Sequence, residues 1–401
     1  MFNSLKFKVI LFGFIFTFFS SFGQSYFLGL FNSSIREALS ITHGQFGSIF
    51  ASATLCSSLL LIWVGKKIDD VNIFKFAFFV TILLSFACFF FSRITSVFLL
   101  FIGIFLMRFS GQGMMSHTAS TTISRYFTRT RGRALSISWF GLSSAEFIMP
   151  VLMVYLLTII DWQNLWLIFS ITVLIVLPIV SFLLIKNLNL DSRESSQENI
   201  KEVEIKQWTR TEVIKDYRFY IISLNMLAMP WIFTGFAVFQ SFVQSSKGWG
   251  PYVIAQSFMS YSILSVVTLF VSGFLIDKFT SRKLLIFMNI PLLLSVIVLY
   301  YFDSPITAFV FLGLVGISNG FANILGSSTW AELYGVKYIG SIKALTTALM
   351  VFATAFGTAL FGFLIDIGFT IGDISIVSGI YIFISLILLF FIRKRLNPIL
   401  I

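Results

Sequence analysis

Charged residues are scarce in this sequence of 401 residues. Asp, Glu, Lys and Arg together make up 11% of it, whereas an ordinary soluble domain carries about 25%. Apolar residues make up 57% of the chain, and so few ionic groups cannot cover that much apolar surface in water. This excludes a soluble enzyme, a nucleic-acid-binding protein and a disordered regulator. The composition indicates an integral membrane protein.

Cysteine and histidine are rare too, with two of each. Cys56 and Cys88 both lie within apolar runs, so we predict neither a disulfide framework nor a zinc site. The sequence has no phosphate-binding loop of the Gly-x-x-x-x-Gly-Lys-Ser/Thr kind and no catalytic constellation. We therefore expect no enzymatic activity, no cofactor, no metal and no ATP-driven transport by this chain alone.

Long apolar runs are abundant, and each is long enough to cross a bilayer as a helix. They predict twelve spans, at 8–31, 44–64, 74–92, 97–120, 134–158, 165–185, 217–240, 251–275, 284–302, 305–331, 343–366 and 374–392. The expected fold is therefore all-α and polytopic, with twelve transmembrane helices. An even number of spans places both termini on the same side of the membrane.

The basic residues indicate which side that is. Of the 28 Lys and Arg residues, 24 fall on one predicted side and three, Arg36, Arg93 and Lys247, on the other. Because cytoplasmic loops carry an excess of Lys and Arg, both termini are predicted to be cytoplasmic. No organelle-targeting signal is visible, so we expect the plasma (inner) membrane and the lipid bilayer as partner.

One segment differs from the rest in composition. Residues 186–215 hold six cations and six anions in thirty positions and few apolar residues, which cannot form a core. The predicted organisation is a six-helix bundle at 1–185, a charged cytoplasmic linker at 186–215 and a second six-helix bundle at 216–401.

The two halves share a repeat at an offset of 208 residues. The offset carries Gly65 to Gly273 and Asp69 to Asp277, in the loops after the second and eighth predicted spans. It also carries Ile68 to Ile276, Lys75 to Lys283, Tyr126 to Tyr334, Arg129 to Lys337 and Gly132 to Gly340. Seven agreements in equivalent loops indicate two parallel copies, as in many transporters.

This duplicated loop resembles the signature of the major facilitator superfamily, which has a Gly, an Asp four residues later and basic residues beyond. The resemblance implies a gating latch formed by Gly65, Asp69, Lys75, Gly273, Asp277, Arg282 and Lys283; alternatively, the cations only fix orientation. The family often has Gly three residues after the Asp, where this chain has Asn72 and Thr280. Asn tolerates the left-handed conformation better than a β-branched residue.

Two charged residues are predicted to lie near the middle of the membrane. Arg108 is about 16 Å into the fourth span and Glu146 about 18 Å into the fifth, at 1.5 Å per residue. A lone charge there costs about 2.5–3.5 kcal/mol. We therefore expect Arg108 and Glu146 either to pair, or to share a substrate or a proton beside a cavity. A purely structural ion pair is the alternative.

Polar residues in four spans complete the predicted substrate and proton site. By resemblance, the first, fourth, seventh and tenth spans line the cavity of this superfamily. They carry Gln24, Gln112, His117, Asn225, Asn319 and Asn323. Each of the amides is either a substrate contact or an interhelical hydrogen bond, and His117 is either titratable or packed and neutral.

The segment Arg125–Ala134, with Gly141 and Pro150, resembles the organic-anion branch of the superfamily, which includes monocarboxylate and oxalate–formate carriers. This implies a monomeric secondary carrier of a small organic solute, an organic anion coupled to protons, working by alternating access. The alternatives are a drug or metabolite proton antiporter and a transporter-like ligand sensor. The predicted partners are the solute and protons, and no nucleic acid.

Overall fold

A computed structural model describes residues 5–127, 130–186 and 206–398, without the side chains of Asp69, Arg131, Asp277 and Ser327. Within these ranges, twelve helices are long and apolar enough to cross a membrane, which confirms the predicted fold class. The spans are Leu5–Gly29, His43–Ile68, Ile73–Phe91, Val97–Tyr126, Gly132–Leu156, Trp162–Ile185, Tyr217–Val238, Val253–Ile276, Ser281–Tyr301, Ile306–Tyr334, Ile339–Asp366 and Ile371–Arg395.

The chain divides into two compact units, Met1–Asn199 and Ile200–Ile401, called here the N-unit and the C-unit. The boundary falls within the predicted linker, of which residues 187–205 lie outside the described ranges. The last residues of that linker form a short helix, Arg210–Lys215. Two other short helices, Asn32–Leu39 and Gln240–Ser246, follow the first and seventh spans.

The first span is not the continuous helix that its apolar pattern predicts. A helix Leu5–Ser20 leads into a 3₁₀ turn, Ser21–Gly23, and a new helix begins only at Ser25. Between them Gln24 is extended, with φ −79° and ψ 150°. Hydropathy does not reveal this break because the few polar or small residues there, Ser21, Gly23, Gln24 and Ser25, lie between long apolar stretches.

The break is held in place by packing on both sides. A side chain at Gly23 would collide with the backbone of Met107 and Gln112 in the fourth span, so only glycine fits. On the other side a buried aromatic cluster fixes the Ser25–Gly29 helix. Phe22 and Phe27 stack at 5.1 Å between ring centroids, and Trp166 of the sixth span lies 5.7 Å from Phe27.

The fourth span is also irregular at this depth. Helices Val97–Met107 and Ser116–Tyr126 flank a π-helical segment, Arg108–Met115. Polar residues recur at every fourth position from Arg108, at Gln112, Ser116 and Ser120, which would form a stripe on one face of a regular helix. The wider π turn changes their positions around the helix axis. Such segments occur frequently at functional sites. Two irregular backbones therefore meet inside the N-unit.

The equivalent spans of the C-unit are regular. The seventh and tenth spans are uninterrupted helices, Tyr217–Val238 and Ile306–Tyr334. Side chains at Gly316 and Gly320 would meet the backbone of the eighth span, so these glycines let the two helices pack closely. The ninth span consists of two helices, Ser281–Met288 and Ile290–Tyr301, joined at Asn289.

Candidate functional site

Arg108 lies where the two irregular segments of the N-unit meet. Its Nη1 donates to the Gly23 carbonyl and to the Ser25 hydroxyl, each at 3.1 Å, and its Nε donates to the Thr54 hydroxyl at 3.1 Å. The guanidinium carbon lies 5.2 Å from the centroid of the Phe50 ring. The side chain is buried, with 3% of the residue exposed.

All of these partners are electrically neutral. Among the described residues no carboxylate lies within ion-pair distance of Arg108, and its Nη2 has no hydrogen-bond acceptor. The direct Arg108–Glu146 pair that the sequence suggests is therefore not formed. The physical reason is the break in the first span, which gives the guanidinium a carbonyl and a hydroxyl to bind instead.

Glu146 reaches the same break from the fifth span. That helix packs against the Ser21–Gly23 turn and the Ser25–Gly29 helix, and Glu146 interacts electrostatically with Tyr26. It is buried, with 8% exposed, and forms no hydrogen bond or ion pair with any residue that the structure describes. Arg108 thus contacts residues 23 and 25 and Glu146 interacts with residue 26, without a bond between the two.

Two predicted amides lie at the break as well. Gln24 is the extended residue, and the backbone of Gln112 faces Gly23 across the helix contact. Both side chains are partly exposed, and neither has a hydrogen-bond partner in the described ranges. The structure therefore places Gln24, Arg108 and the backbone of Gln112 at the break, and Glu146 beside Tyr26. We call residues 23–26 with these side chains the break site.

His117 is placed elsewhere in the N-unit. Its Nε2 lies 3.0 Å from the carbonyl oxygen of Gly65, the glycine of the first signature loop. Arg125 donates to the Ile68 carbonyl at 3.1 Å, so two side chains of the fourth span hold this loop. Lys75 is exposed, and the side chain of Asp69 lies outside the described residues.

The second signature loop is held by different contacts. Arg282 pairs with Glu332, Nε to Oε2 at 3.3 Å, and Glu332 also accepts from the backbone N–H of Ser281 at 2.9 Å. Lys283 is exposed, Gly273 has ordinary contacts and the side chain of Asp277 is not described.

The two residues at the family's glycine position differ in backbone conformation. Asn72 keeps a negative φ of −55° and caps the third span, accepting from the Phe74 N–H at 2.9 Å. Thr280 has φ +69°, a conformation that favours glycine. The sequence favoured Asn72 as the residue to tolerate the left-handed conformation, which Asn72 does not adopt. Thr280 is the residue with a positive φ, and its ψ is 149°.

The C-unit contains a cavity of about 130 Å³ among its seventh, ninth, tenth and eleventh spans. Its walls include four methionines, Met226, Met229, Met288 and Met350, and two of the predicted amides, Asn319 and Asn323. Asn319 donates to Ser265 at 2.8 Å. None of the residues lining this cavity is ionisable.

Asn225 does not line that cavity. It is fully buried, its amide donates to Ser385 at 3.4 Å, and its backbone carbonyl accepts from Asn289 at 2.6 Å. These contacts fit the interhelical hydrogen bond that was the alternative for this residue.

Sequence reasoning missed several site residues. Gly23, Ser25 and Thr54 bind Arg108, and nothing in the sequence distinguishes them from the other small residues of their spans. A buried ion pair between Asp216 and Arg218, at 2.8 Å, was missed as well. In the sequence, this ion pair is indicated only by two opposite charges that are two positions apart at the start of a span.

A family model described as Major Facilitator Superfamily matches residues 13–358. A bacterial homologue of the human lysosomal transporter Spinster, in an inward-facing and unoccupied conformation, superposes with a TM-score of 0.75 at 13% identity, covering 98% of both chains. The nucleoside transporter NupG gives a TM-score of 0.70 at 14% identity, covering 98% of this chain and 99% of its own.

A search of curated proteins finds no match to this chain. The likenesses to solved structures concern the fold, since the identities are low. The family model, however, covers most of the sequence and agrees with twelve spans and a duplicated signature loop. The chain belongs to the Major Facilitator Superfamily.

Proposed function

We propose that this protein is a secondary active carrier of a small organic anion coupled to protons, with the break site of the N-unit as the place where charge is bound. The single observation that carries the proposal is the buried Arg108 guanidinium, which binds only neutral groups.

The energetic argument starts from the cost of that charge. Neutral acceptors bind the Nε and Nη1 groups of Arg108 but leave its positive charge uncompensated within a membrane span. A substrate carboxylate would supply the missing charge, and charge-assisted hydrogen bonds to guanidinium are about twice as strong as neutral ones. The unused Nη2 provides donors for it. The amides of Gln24 and Gln112 are free to bind the rest of the anion.

Glu146 is the proposed proton carrier. A buried carboxyl group with no donor in reach is a natural place to bind and release a proton, because no protein contact fixes its protonation state. Arg108 contacts Gly23 and Ser25, and Glu146 interacts with Tyr26 of the same short segment. The proposed basis of symport is that an anion bound at Arg108 acts on Glu146 through this shared segment.

The C-unit cavity is proposed to recognise an uncharged part of a solute. An apolar cavity of about 150 Å³ holds a benzene molecule, so one of about 130 Å³ has room for roughly one small ring. Methionine walls adapt to irregular apolar shapes, and the amides of Asn319 and Asn323 supply hydrogen bonds.

The test is uptake into proteoliposomes with an imposed pH gradient, using a panel of labelled small mono- and dicarboxylates. We expect wild-type protein to accumulate at least one of them. Glu146→Gln should still exchange that solute across the membrane but lose accumulation driven by the gradient, and Arg108→Gln should lose both. Arg93→Gln and Glu37→Gln, which remove exposed charges, are the matched controls.

Full proton-driven accumulation by Glu146→Gln would rule out the coupling role of that carboxylate. Binding of a solute by the wild type without accumulation would favour a ligand sensor. The neutral, methionine-lined cavity favours a second candidate, a drug or metabolite antiporter. Efflux of bulky apolar cations that is unaffected by Arg108→Ala would support that reading instead.

A further inference from the structure

A second cavity, of about 310 Å³, lies in the C-unit where the second signature loop meets the last residues described. Four cations line it: Arg282 and Lys283 of that loop, and Arg393 and Lys394 at the end of the twelfth span. It lies at the end of the C-unit that is predicted to be cytoplasmic, and it shares no residue with the smaller cavity or with the break site.

Only one of these four charges is balanced. Arg282 pairs with Glu332, whereas Lys283, Arg393 and Lys394 have no carboxylate partner within the described part of the chain. Three like charges around one cavity repel each other, and an anion in the cavity would relieve that repulsion. The positive-inside rule explains why cations occur at this end, but not why they converge on one concave surface.

Neutral contacts hold the cations together. Arg282 donates to the Leu396 carbonyl at 2.8 Å and to Asn397 Oδ1 at 3.0 Å. From the other side, Arg218 donates to the backbone carbonyls of Arg395 at 3.1 Å and Asn397 at 3.0 Å. The segment that carries Arg393 and Lys394 is thus anchored at two points, so the cavity is preformed.

The surroundings indicate what kind of anion fits. Phe287, Phe390 and Phe391, at the ends of the ninth and twelfth spans, are 55%, 48% and 75% exposed. In a chain that spans a membrane, such rings contact acyl chains. Arg393 lies over Phe390, 3.9 Å from its centroid, so the cationic lining is continuous with the apolar surface. A ligand with an anionic head and apolar tails matches both.

We propose that this cavity binds the phosphate of an anionic phospholipid headgroup. Basic pockets between transmembrane helices on the cytoplasmic side are suited to such headgroups. The cavity has room for roughly ten water molecules at about 30 Å³ each, enough for a phosphate and its adjoining glycerol atoms. The proposal does not depend on what the protein transports.

The test measures binding of phosphatidylglycerol to the purified full chain, after delipidation, by the rise in thermal stability and by native mass spectrometry. Phosphatidylcholine with the same acyl chains is the neutral comparison. The variant is Lys283→Gln/Arg393→Gln/Lys394→Gln. The matched control, Lys215→Gln/Lys337→Gln/Lys343→Gln, removes the same charge from exposed positions of the C-unit that do not line the cavity.

We expect wild type and control to bind phosphatidylglycerol in preference to phosphatidylcholine. The cavity variant should lose affinity by about 5-fold per cation, or roughly 100-fold in all. The charge-preserving variant Lys283→Arg/Arg393→Lys/Lys394→Arg should bind within a few-fold of wild type, which guards against loss through misfolding. Equal loss in the control would overturn the proposal, because any basic surface would then suffice. Inorganic phosphate that binds as tightly and displaces the lipid would also overturn it, since the apolar part would then contribute nothing.

Discussion

The two units carry the same arrangement of six spans, but they differ in where they place charge and irregular backbone. In the N-unit a broken first span meets a π-helical segment of the fourth, and Arg108 is buried between them. In the C-unit the residue 208 positions later is Gly316, which packs on the backbone of the eighth span within a regular helix. The two copies of the repeat therefore differ at this depth, with a buried charge in the N-unit and a close helix contact in the C-unit.

The largest expected effect tests the difference between the charged site of the N-unit and the neutral cavity of the C-unit. Arg108→Gln should reduce the initial rate of solute uptake by about 100-fold, because removing a buried charge that binds an opposite charge costs 2–5 kcal/mol. Asn319→Ala should reduce it by less than about 10-fold, since a neutral hydrogen bond contributes only about 1 kcal/mol. Uptake rates in proteoliposomes, normalised to folded protein, measure both. A larger effect of Asn319→Ala than of Arg108→Gln would mean that the C-unit contributes more than the N-unit to solute uptake.

The second effect concerns the break itself. Gly23→Ala should lower the free energy of unfolding by about 1–3 kcal/mol, because the new methyl group meets the backbone of the fourth span. Gly132→Ala, at a position with open space, should leave stability unchanged or raise it by about 0.4–1 kcal/mol. Thermal unfolding in detergent compares the two. Equal behaviour would show that the close contact at Gly23 is dispensable.

A smaller effect distinguishes the two signature loops. Thr280→Gly should stabilise the protein by about 1 kcal/mol, because a β-branched residue at φ +69° is strained by about 1–3 kcal/mol and glycine is not. Asn72→Gly should instead destabilise it by a few tenths of a kcal/mol, because it removes a helix cap. The melting temperatures of the two variants should therefore shift in opposite directions. Shifts of the same sign would contradict the difference between the loops.

The smallest effect concerns two capping boxes, one with an ionisable acceptor and one with a neutral acceptor. In the C-unit the Thr209 N–H and hydroxyl donate to Glu212, which also pairs with Lys206, and these contacts lower the pKa of the Glu212 carboxyl from 4.5 to about 2. In the N-unit the equivalent acceptor is the neutral Gln45, bonded to the Thr42 N–H at 2.9 Å.

A depressed pKa means that the folded state favours the ionised carboxylate, so the stabilisation is present above pH 4.5 and is lost as the pH falls towards about 2. The stability difference between wild type and Glu212→Gln should therefore be constant above pH 5 and shrink below it. The effect of Gln45→Ala should not change with pH. Thermal unfolding at a series of pH values tests this, and parallel pH curves for both substitutions would refute it.

The polar residues within the predicted spans have different surroundings in the structure. Arg108, Glu146, Gln24 and Gln112 stood out because polar side chains inside apolar runs are rare, and all four lie in spans that meet at or beside the break in the first span. Asn225 and His117 stood out for the same reason, yet they bond to neighbouring helices. Polarity inside a span marks a residue that needs a partner, but it does not say whether that partner belongs to the protein.

The amino-acid sequence by itself determined the number of spans, the duplication and the family. A helix needs about twenty apolar residues to cross the hydrocarbon core of a bilayer. Each span can therefore be recognised from its own stretch of sequence. Only the tertiary structure decided that the first span breaks at Gly23, that Arg108 binds a carbonyl rather than Glu146, and that Thr280 takes the strained turn. Each of these depends on contacts between residues far apart in the chain, where a few ångströms of backbone position determine which hydrogen bonds form.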